Sequence, residues 1–401
     1  MIPLFSWLHL SDIHFGHGDK QHGWDQQLVI TKLLEDINHR SEYNIPNLNC
    51  VFVTGDIAFS GATRSKKEYE QANAWLTALT QSLALRKQDL YLVPGNHDVQ
   101  RNIHNKNSNA RRLIQELREG RESIDVALAS RNDKKFLVNR LKNYLNFSLE
   151  FGPADRSIEQ LYWVHTIDIP FGLSIRIAGL NTALLCQDDK DEQKLFLGKE
   201  QLSNTFQPGI GKSNEIAITL THHPLEWLRD SQDVSKWIRS ESDIHLSGHV
   251  HIANSEELRR GSGTNFIHVV SGAVHNERQQ IGVPEGHGYS YGSIQMNEKD
   301  GALFLLIWPR RWSSENTDFR VDVEKVPKRQ DYAIHSLNKY GQVQASSSDK
   351  DMQIESLELA SQSPISQTEA GKSSPNKTVY IQALSEFEEQ KARVKKKLLG
   401  E

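Results

Sequence analysis

The chain has 401 residues, more than one hydrophobic core usually fills, so a large domain with added parts is expected. Its hydrophobic share of 37% is low for a packed chain, and its net charge of -4 excludes a bulk polycation that holds nucleic acid by charge alone. The two cysteines, Cys50 and Cys186, lack metal or redox spacing, and no run reaches the roughly 18 apolar residues of a membrane span, so a cytoplasmic protein without a membrane anchor is the expectation.

In chain order, residues 5–10 are a short uncharged apolar run that reads as a buried strand rather than a leader, and Asp12-Ile13-His14 follows it. Residues 26–40 place Leu28, Leu33, Leu34 and Ile37 at helical spacing. A second apolar run, 49–54, ends at Gly55-Asp56, with Gly61 beyond. Residues 67–85 give a second helix through Trp75, Leu76, Leu79 and Leu83. A third run, 90–93, leads into Gly95-Asn96-His97-Asp98. Residues 102–150 are charged and helical in pattern. They read as an insertion, either a cap over a site or a solvated helical pair propping up the sheet.

Further strands are expected at 174–180, 215–221, 243–246 and 266–270. His222-His223-Pro224 follows the second of these, and Gly248-His249-Val250-His251 follows the third. Residues 289–296 and 302–308 read as closing antiparallel strands, with the core ending near Val326 and the domain at residue 330. Residues 331–377 are polar and predict a flexible linker. Residues 378–401 return to a helical pattern with a basic end, suited to homo- or hetero-oligomer contacts. Strands alternating with helices give an α/β fold.

Five polar clusters therefore sit just past the ends of five apolar runs. In α/β sheets, ligands collect beyond the carboxyl ends of strands. Carboxylates, imidazoles and an amide suit divalent transition metals, and the lack of a thiolate argues against a structural zinc knot. About seven candidate ligands are enough for two ions sharing one bridging carboxylate. Such a pair clamps the attacking and leaving oxygens of a phosphoryl displacement and makes a shared water acidic. Alone, each cluster also reads as an ordinary turn or strand end; the five in this order point to one site.

Taken together, Asp12-x-His14, Gly55-Asp56 with Gly61, Gly95-Asn96-His97-Asp98, His222 and Gly248-His249-x-His251 resemble the calcineurin-like metallophosphoesterase superfamily, in its cyclic-nucleotide phosphodiesterase and nuclease-like branch. The resemblance runs from about Phe5 to Met296. It implies a four-layer α/β/β/α sandwich and two divalent ions, manganese first, with iron, zinc, cobalt and nickel as alternatives. It assigns Asp12, His14, Asp56 and His251 to one ion and Asp56, Asn96, His222 and His249 to the other, with Asp56 bridging. It makes His97 the residue that protonates the leaving oxygen or stabilises its charge, and Asp98 the residue that orients His97. Attack on phosphorus then comes from a metal-bridging hydroxide. His223 either faces the substrate or packs.

A phosphodiesterase for nucleotides or nucleic acid is the first functional expectation. Arg111-Arg112, Lys134-Lys135, Arg259-Arg260 and Arg310-Arg311 are candidates to track phosphates, and Trp163, Trp227 or Tyr289 to stack a base. The alternatives are a phosphomonoesterase for proteins or small metabolites, and a scaffold that recruits a partner through the terminal helix.

Overall fold

A computed structural model of the chain describes residues 1–17, 23–63, 65, 67–101, 107–153, 157, 159–188, 190–206, 214–250, 253–261, 264–275 and 287–337. The polar linker beyond residue 337, the terminal helix and His251 lie outside these residues.

The amino-terminal half winds as β1 (Ile2–Leu10), α1 (Gly23–Asn38), β2 (Cys50–Thr54), α2 (Lys67–Ser82) and β3 (Leu90–Val93). Four helices follow: α3 (Ser108–Arg118), α4 (Ile124–Ala129), α5 (Arg131–Arg140) and α6 (Lys142–Ser148). The second half runs β4 (Trp163–Ile169), β5 (Leu173–Gly179), α7 (Lys199–Thr205), β6 (Glu215–Leu220), α8 (Ser231–Glu241), β7 (Ile244–Ser247), β8 (Asn254–Arg259) and β9 (Asn265–Val270). It closes with β10 (Gly288–Met296), β11 (Leu303–Ser313), β12 (Asp318–Val321) and β13 (Ala333–Ser336).

Two mixed sheets result. One is ordered β12-β11-β10-β1-β2-β3, with β13 also on β11; the other is ordered β4-β5-β6-β7-β9-β8. Strand alternation builds the layers. Phe5 and Trp7 of β1, Phe52 of β2, and Tyr91 and Val93 of β3 join Ile175, Ile177, Ile216, Ile218, Ile244, Leu246 and Ile267 in one buried apolar cluster. Leu8, Leu10, Val51, Val53, Leu90 and Leu92 alternate with them and pack instead with residues such as Leu33, Ile37, Leu76 and Leu79 of α1 and α2. This is the expected sandwich, with strands β1, β2, β3, β6 and β7 delivering their carboxyl ends to one rim.

Two expectations need correction. The core does not end near Val326: β13 pairs with β11 in the register Phe304↔Ser336, and Leu337 is buried. The insertion is four helices rather than a pair, with Leu113, Ile114, Leu117, Leu137, Leu141, Tyr144 and Leu145 buried on their inner faces. Its arginines also enter the core. Arg140 is buried and donates to the carbonyls of Leu184 and Cys186, while Arg118 holds Asp191 at 2.5 Å and the Leu185 carbonyl at 2.7 Å. Both cysteines are buried and neither is in a disulfide.

Candidate metal centre

The turn after β1 runs alongside the turn after β2. Asp12 N donates to Gly55 O, and Ile13 N and His14 N both donate to Asp56 O. Asp12, His14 and Asp56 each take a left-handed backbone, with φ of 55°, 56° and 53°, as does His249 with φ of 70°. Left-handed non-glycine residues carry strain and concentrate at functional sites. Here the pairing of the two turns holds Asp12, His14 and Asp56 in place. Gln26 of α1 adds a buttress, donating from one amide nitrogen to the Ile13 and His14 carbonyls at 2.7 Å each.

Asp56 is the hub. It is 2% exposed, its Oδ1 accepts from His97 N at 2.7 Å, and its Oδ2 lies 3.2 Å from His14 Nε2 and 3.4 Å from His222 Nε2. The carboxylate reaches so far because residue 95 has no side chain; a Cβ there sits 2.7 Å from Asp56 Cγ. Burial works to raise the Asp56 carboxyl, but charge on His222 and His97 and hydrogen bonds from His14 and His222 hold it well below the usual range. Burial likewise opposes charge on His222, yet Asp56, then Asp12 and the Thr54 carbonyl, raise it to about 9. Positive charge is thus favoured between Asp56 and His222, as a proton or as a metal ion.

The second sheet supplies the facing wall. His222, after β6, is fixed by its Nδ1 on Thr54 O at 2.7 Å. His249, after β7, donates its backbone N to Asp12 Oδ2 at 3.1 Å. Its Nδ1 faces His222 Nε2 at 3.2 Å. Asn96 Oδ1 completes the group, 3.0 Å from His222 Nε2 and 3.2 Å from both Asp56 Oδ2 and His249 Nδ1. With its oxygen turned inward the Asn96 amide joins a carboxylate oxygen and two imidazole nitrogens in a donor set that would suit a shared cation; turned over, the same amide presents its NH2 to these atoms instead. The spacing fits a cation: donors about 2.1 Å from a shared ion, at angles of about 90–109°, stand about 3.0–3.4 Å apart. Asp12, Asp56 and His222 form a second group within reach of one ion, and His14, Asp56 and His97 a third.

His97 is half-buried, and its orientation corrects the expectation for Asp98. The ring is set by its Nδ1 on Phe59 O at 2.8 Å. Asp98 instead accepts from the backbone nitrogens of Ile57, Ala58 and Gly95 and from the Tyr69 hydroxyl. Burial, then the Asp56 charge, pushes its carboxyl up to about 6 against those backbone bonds. Asp98 positions the two loops that carry Asp56 and Asn96, rather than the imidazole.

His223 is fully buried, with Nδ1 on Thr182 Oγ1 at 2.8 Å and Nε2 3.6 Å from Cys186 Sγ. Both ring nitrogens face protein, which favours packing over substrate contact. Of the stacking candidates, Trp163 is buried with its Nε1 on Leu92 O, and Tyr289 is buried on Asp36; each lies in the core. Trp227 alone of the three reaches the site, half-buried, with its ring centroid 4.2 Å from that of His249. The Arg310 member of the basic pairs is also internal, paired with Asp36 and lying over the Tyr43 ring. Sequence reasoning missed Phe59, stacked on His97 at 5.3 Å, His17 at its edge at 4.6 Å, and Arg101, whose Nε donates to Asn96 O at 3.2 Å. Their closeness in sequence to His14, Asp56 and His97 was the signal available.

A family model described as calcineurin-like phosphoesterase matches residues 5–253. The chain belongs to the calcineurin-like phosphoesterase family. The matched segment contains every described residue of the cluster. This family hydrolyses phosphoester bonds with a metal centre, and membership makes the domain a metal-dependent phosphoric ester hydrolase. An uncharacterized metallophosphoesterase-like protein of Bacillus subtilis (strain 168), YydB, is 23% identical over 331 residues, which are 77% of this phosphoesterase and 61% of that protein. The chain thus spans less than two thirds of that relative's length. Among solved structures, 5'-nucleotidase from Candida albicans SC5314 is similar at a TM-score of 0.38 and 12% identity, over 90% of this chain and 59% of that one. Chaetomium thermophilum Vps29 is similar at a TM-score of 0.32 and 9% identity, over 83% of this chain and 99% of that one. Among the described residues no helix is long and apolar enough to cross a membrane.

Proposed function

We propose that this phosphoesterase is a phosphodiesterase for nucleotides or nucleic acid, acting in the cytoplasm with two manganese ions. The observation that carries the reading is an aromatic ring at each end of the cluster: Phe59 stacked on His97, and Trp227 against His249, both half-buried. A phosphodiester has an organic group on both sides of phosphorus, and a half-buried ring beside each end of the cluster suits one such group at either end. A monoester has only one such group to place.

In this reading Asp12, His14 and Asp56, with His251 from outside the described residues, hold one ion. Asp56, Asn96, His222 and His249 hold the other. The ions supply Lewis-acid charge to the phosphoryl oxygens and make water acidic enough to deprotonate near neutral pH. Asp56 would serve both sets, because its Oδ2 lies 3.2 Å from His14 Nε2 on one side and 3.4 Å from His222 Nε2 on the other. His97 keeps one proton at Nδ1 on Phe59 O, so Nε2 is the atom that presents a second proton to the leaving oxygen. Asp98 holds the 56 and 96 loops at fixed separation while this occurs.

The test compares bis-p-nitrophenyl phosphate, p-nitrophenyl phosphate and single-stranded DNA as substrates of the manganese-loaded protein, with Asp56→Asn as the control. Cleavage of the diester or of DNA that disappears in the variant is the expected result. Turnover of the monoester alone overturns the diesterase reading, and equal turnover by the variant overturns the assignment of Asp56.

A further inference from the structure

The Asn96 amide has two orientations with opposite consequences for Arg101. With Oδ1 toward Asp56, His222 and His249, the amide NH2 faces the Arg101 guanidinium 2.7 Å away, two donors meeting head on. With the amide turned over, the NH2 donates to Asp56 Oδ2, His222 Nε2 and His249 Nδ1, and the oxygen accepts from Arg101. The second orientation offers two amide hydrogens to these three neighbours and needs no metal ion. The first is the one a cation requires. The base of the arginine stays tethered in both, through Nε on the Asn96 carbonyl at 3.2 Å. Arg101 is half-buried, four residues past His97, and its charge is felt at Cys186 and His223.

We infer that Arg101 is a substrate-binding residue whose guanidinium passes from the Asn96 amide to a non-bridging phosphate oxygen when that amide turns its oxygen to a metal ion. The proposal rests on the metal-centre reading given above. The chemistry suits arginine: a planar fork of donors matches phosphate oxygens and stays charged at any working pH. Loading of the centre and capture of the anion are thereby coupled through one amide flip, and coupling of this kind is reciprocal.

The experiment is calorimetric titration of manganese, and then of inorganic phosphate, into the full chain, Arg101→Gln and Arg101→Lys. In Arg101→Gln, manganese affinity is expected to be unchanged or higher, because the hydrogen bond that competes with the ion is gone. Phosphate affinity of the manganese-loaded variant is expected to fall about tenfold to a hundredfold, the size of one charge-assisted hydrogen bond. Arg101→Lys keeps the charge without the fork and is expected to lie between the two; if Arg101→Gln does not fold, the lysine variant decides. Phosphate affinity within about twofold of the parent in a manganese-loaded variant overturns the proposal, as does a loss of manganese affinity on the same scale as the loss of phosphate. If the parent protein binds no manganese, the metal-centre reading itself fails, an outcome distinct from either.

Discussion

Gly95→Ala tests the closeness of two loops without replacing a single proposed ligand. The new methyl overlaps Oδ1 and the backbone nitrogen of Asp56 and sits 2.7 Å from Asp56 Cγ. Carbon atoms in contact rest about 3.5–4.0 Å apart, so the carboxylate or its loop has to retreat by about 1 Å. That retreat lengthens the Oδ1 bond to His97 N, now 2.7 Å, and carries Oδ2 away from His14 and His222. A displacement of about 1 Å in a reacting array costs about a hundredfold in rate, and overpacking costs about 1–3 kcal/mol of stability. The assay is turnover of bis-p-nitrophenyl phosphate together with metal content by mass spectrometry and a thermal melt. Gly261→Ala is the control, because a Cβ there meets nothing within 4 Å. Expected are weakened metal retention, a rate loss near a hundredfold and a lowered Tm in Gly95→Ala, with the control unchanged. A Gly95→Ala protein that keeps its metals and its full rate refutes the argument that residue 95 leaves room for the Asp56 carboxylate.

His97→Ala is expected to keep its metals and lose about 10²–10⁴ in rate on substrates with poor leaving groups; a loss independent of leaving group replaces proton donation by charge stabilisation. Trp227→Ala is expected to raise KM for a dinucleotide by about fivefold to a hundredfold, at about 1–3 kcal/mol per stacked base, while binding of dimethyl phosphate, which has no ring to stack, is unchanged. Equal shifts for both ligands remove the stacking role. Acid stability follows from three buried imidazoles. His9 is pushed down to about 3 by burial and then by His268, against the opposing charge of Asp12. Burial, then their histidine neighbours, lowers His245 well below the ordinary value, and burial also lowers His268. All three fold neutral, so their contribution is complete above about pH 6.5 and is lost as pH falls through the range where the unfolded chain protonates; His9 alone accounts for about 2 kcal/mol at pH 5. Urea unfolding as a function of pH is expected to show His9→Asn with a slope reduced by about one proton below pH 6.5, and an unchanged slope refutes it.

Much of the fold was legible because buried parallel strands are continuous apolar runs. Residues 49–54, 90–93 and 243–246 match β2, β3 and β7 to within a residue or so. The strands that escaped notice have no such run. β4 alternates half-buried and exposed positions through Val164, Thr166 and Asp168, and β8 is the charged edge segment Asn254–Arg259. β13 is short and lies beyond a charged stretch, so only its pairing with β11 reveals it. At the site, strand-end placement made the candidate ligands readable, since the acidic and imidazole residues follow the apolar runs directly. The supporting roles were not readable, because each depends on a partner remote in sequence. Asp98 reaches Ile57 and Ala58, Gln26 reaches the Ile13 and His14 carbonyls, and Trp163 and Trp227 differ only in which environment the folded chain gives them.

The cluster draws on both halves of the sandwich. Asp12, His14, Asp56, Asn96 and His97 hang from the first sheet, and His222 and His249 from the second. An ion bound by members of both acts as a rivet through the rim, while the apolar layer around Trp7, Phe52, Ile177 and Ile218 closes the seam beneath it. Each ion held at a free concentration of about a hundred times its Kd adds about 2.7 kcal/mol to the folded state. On this reading the protein's resistance to unfolding would rise with the metal available around it, and a chelator would lower it.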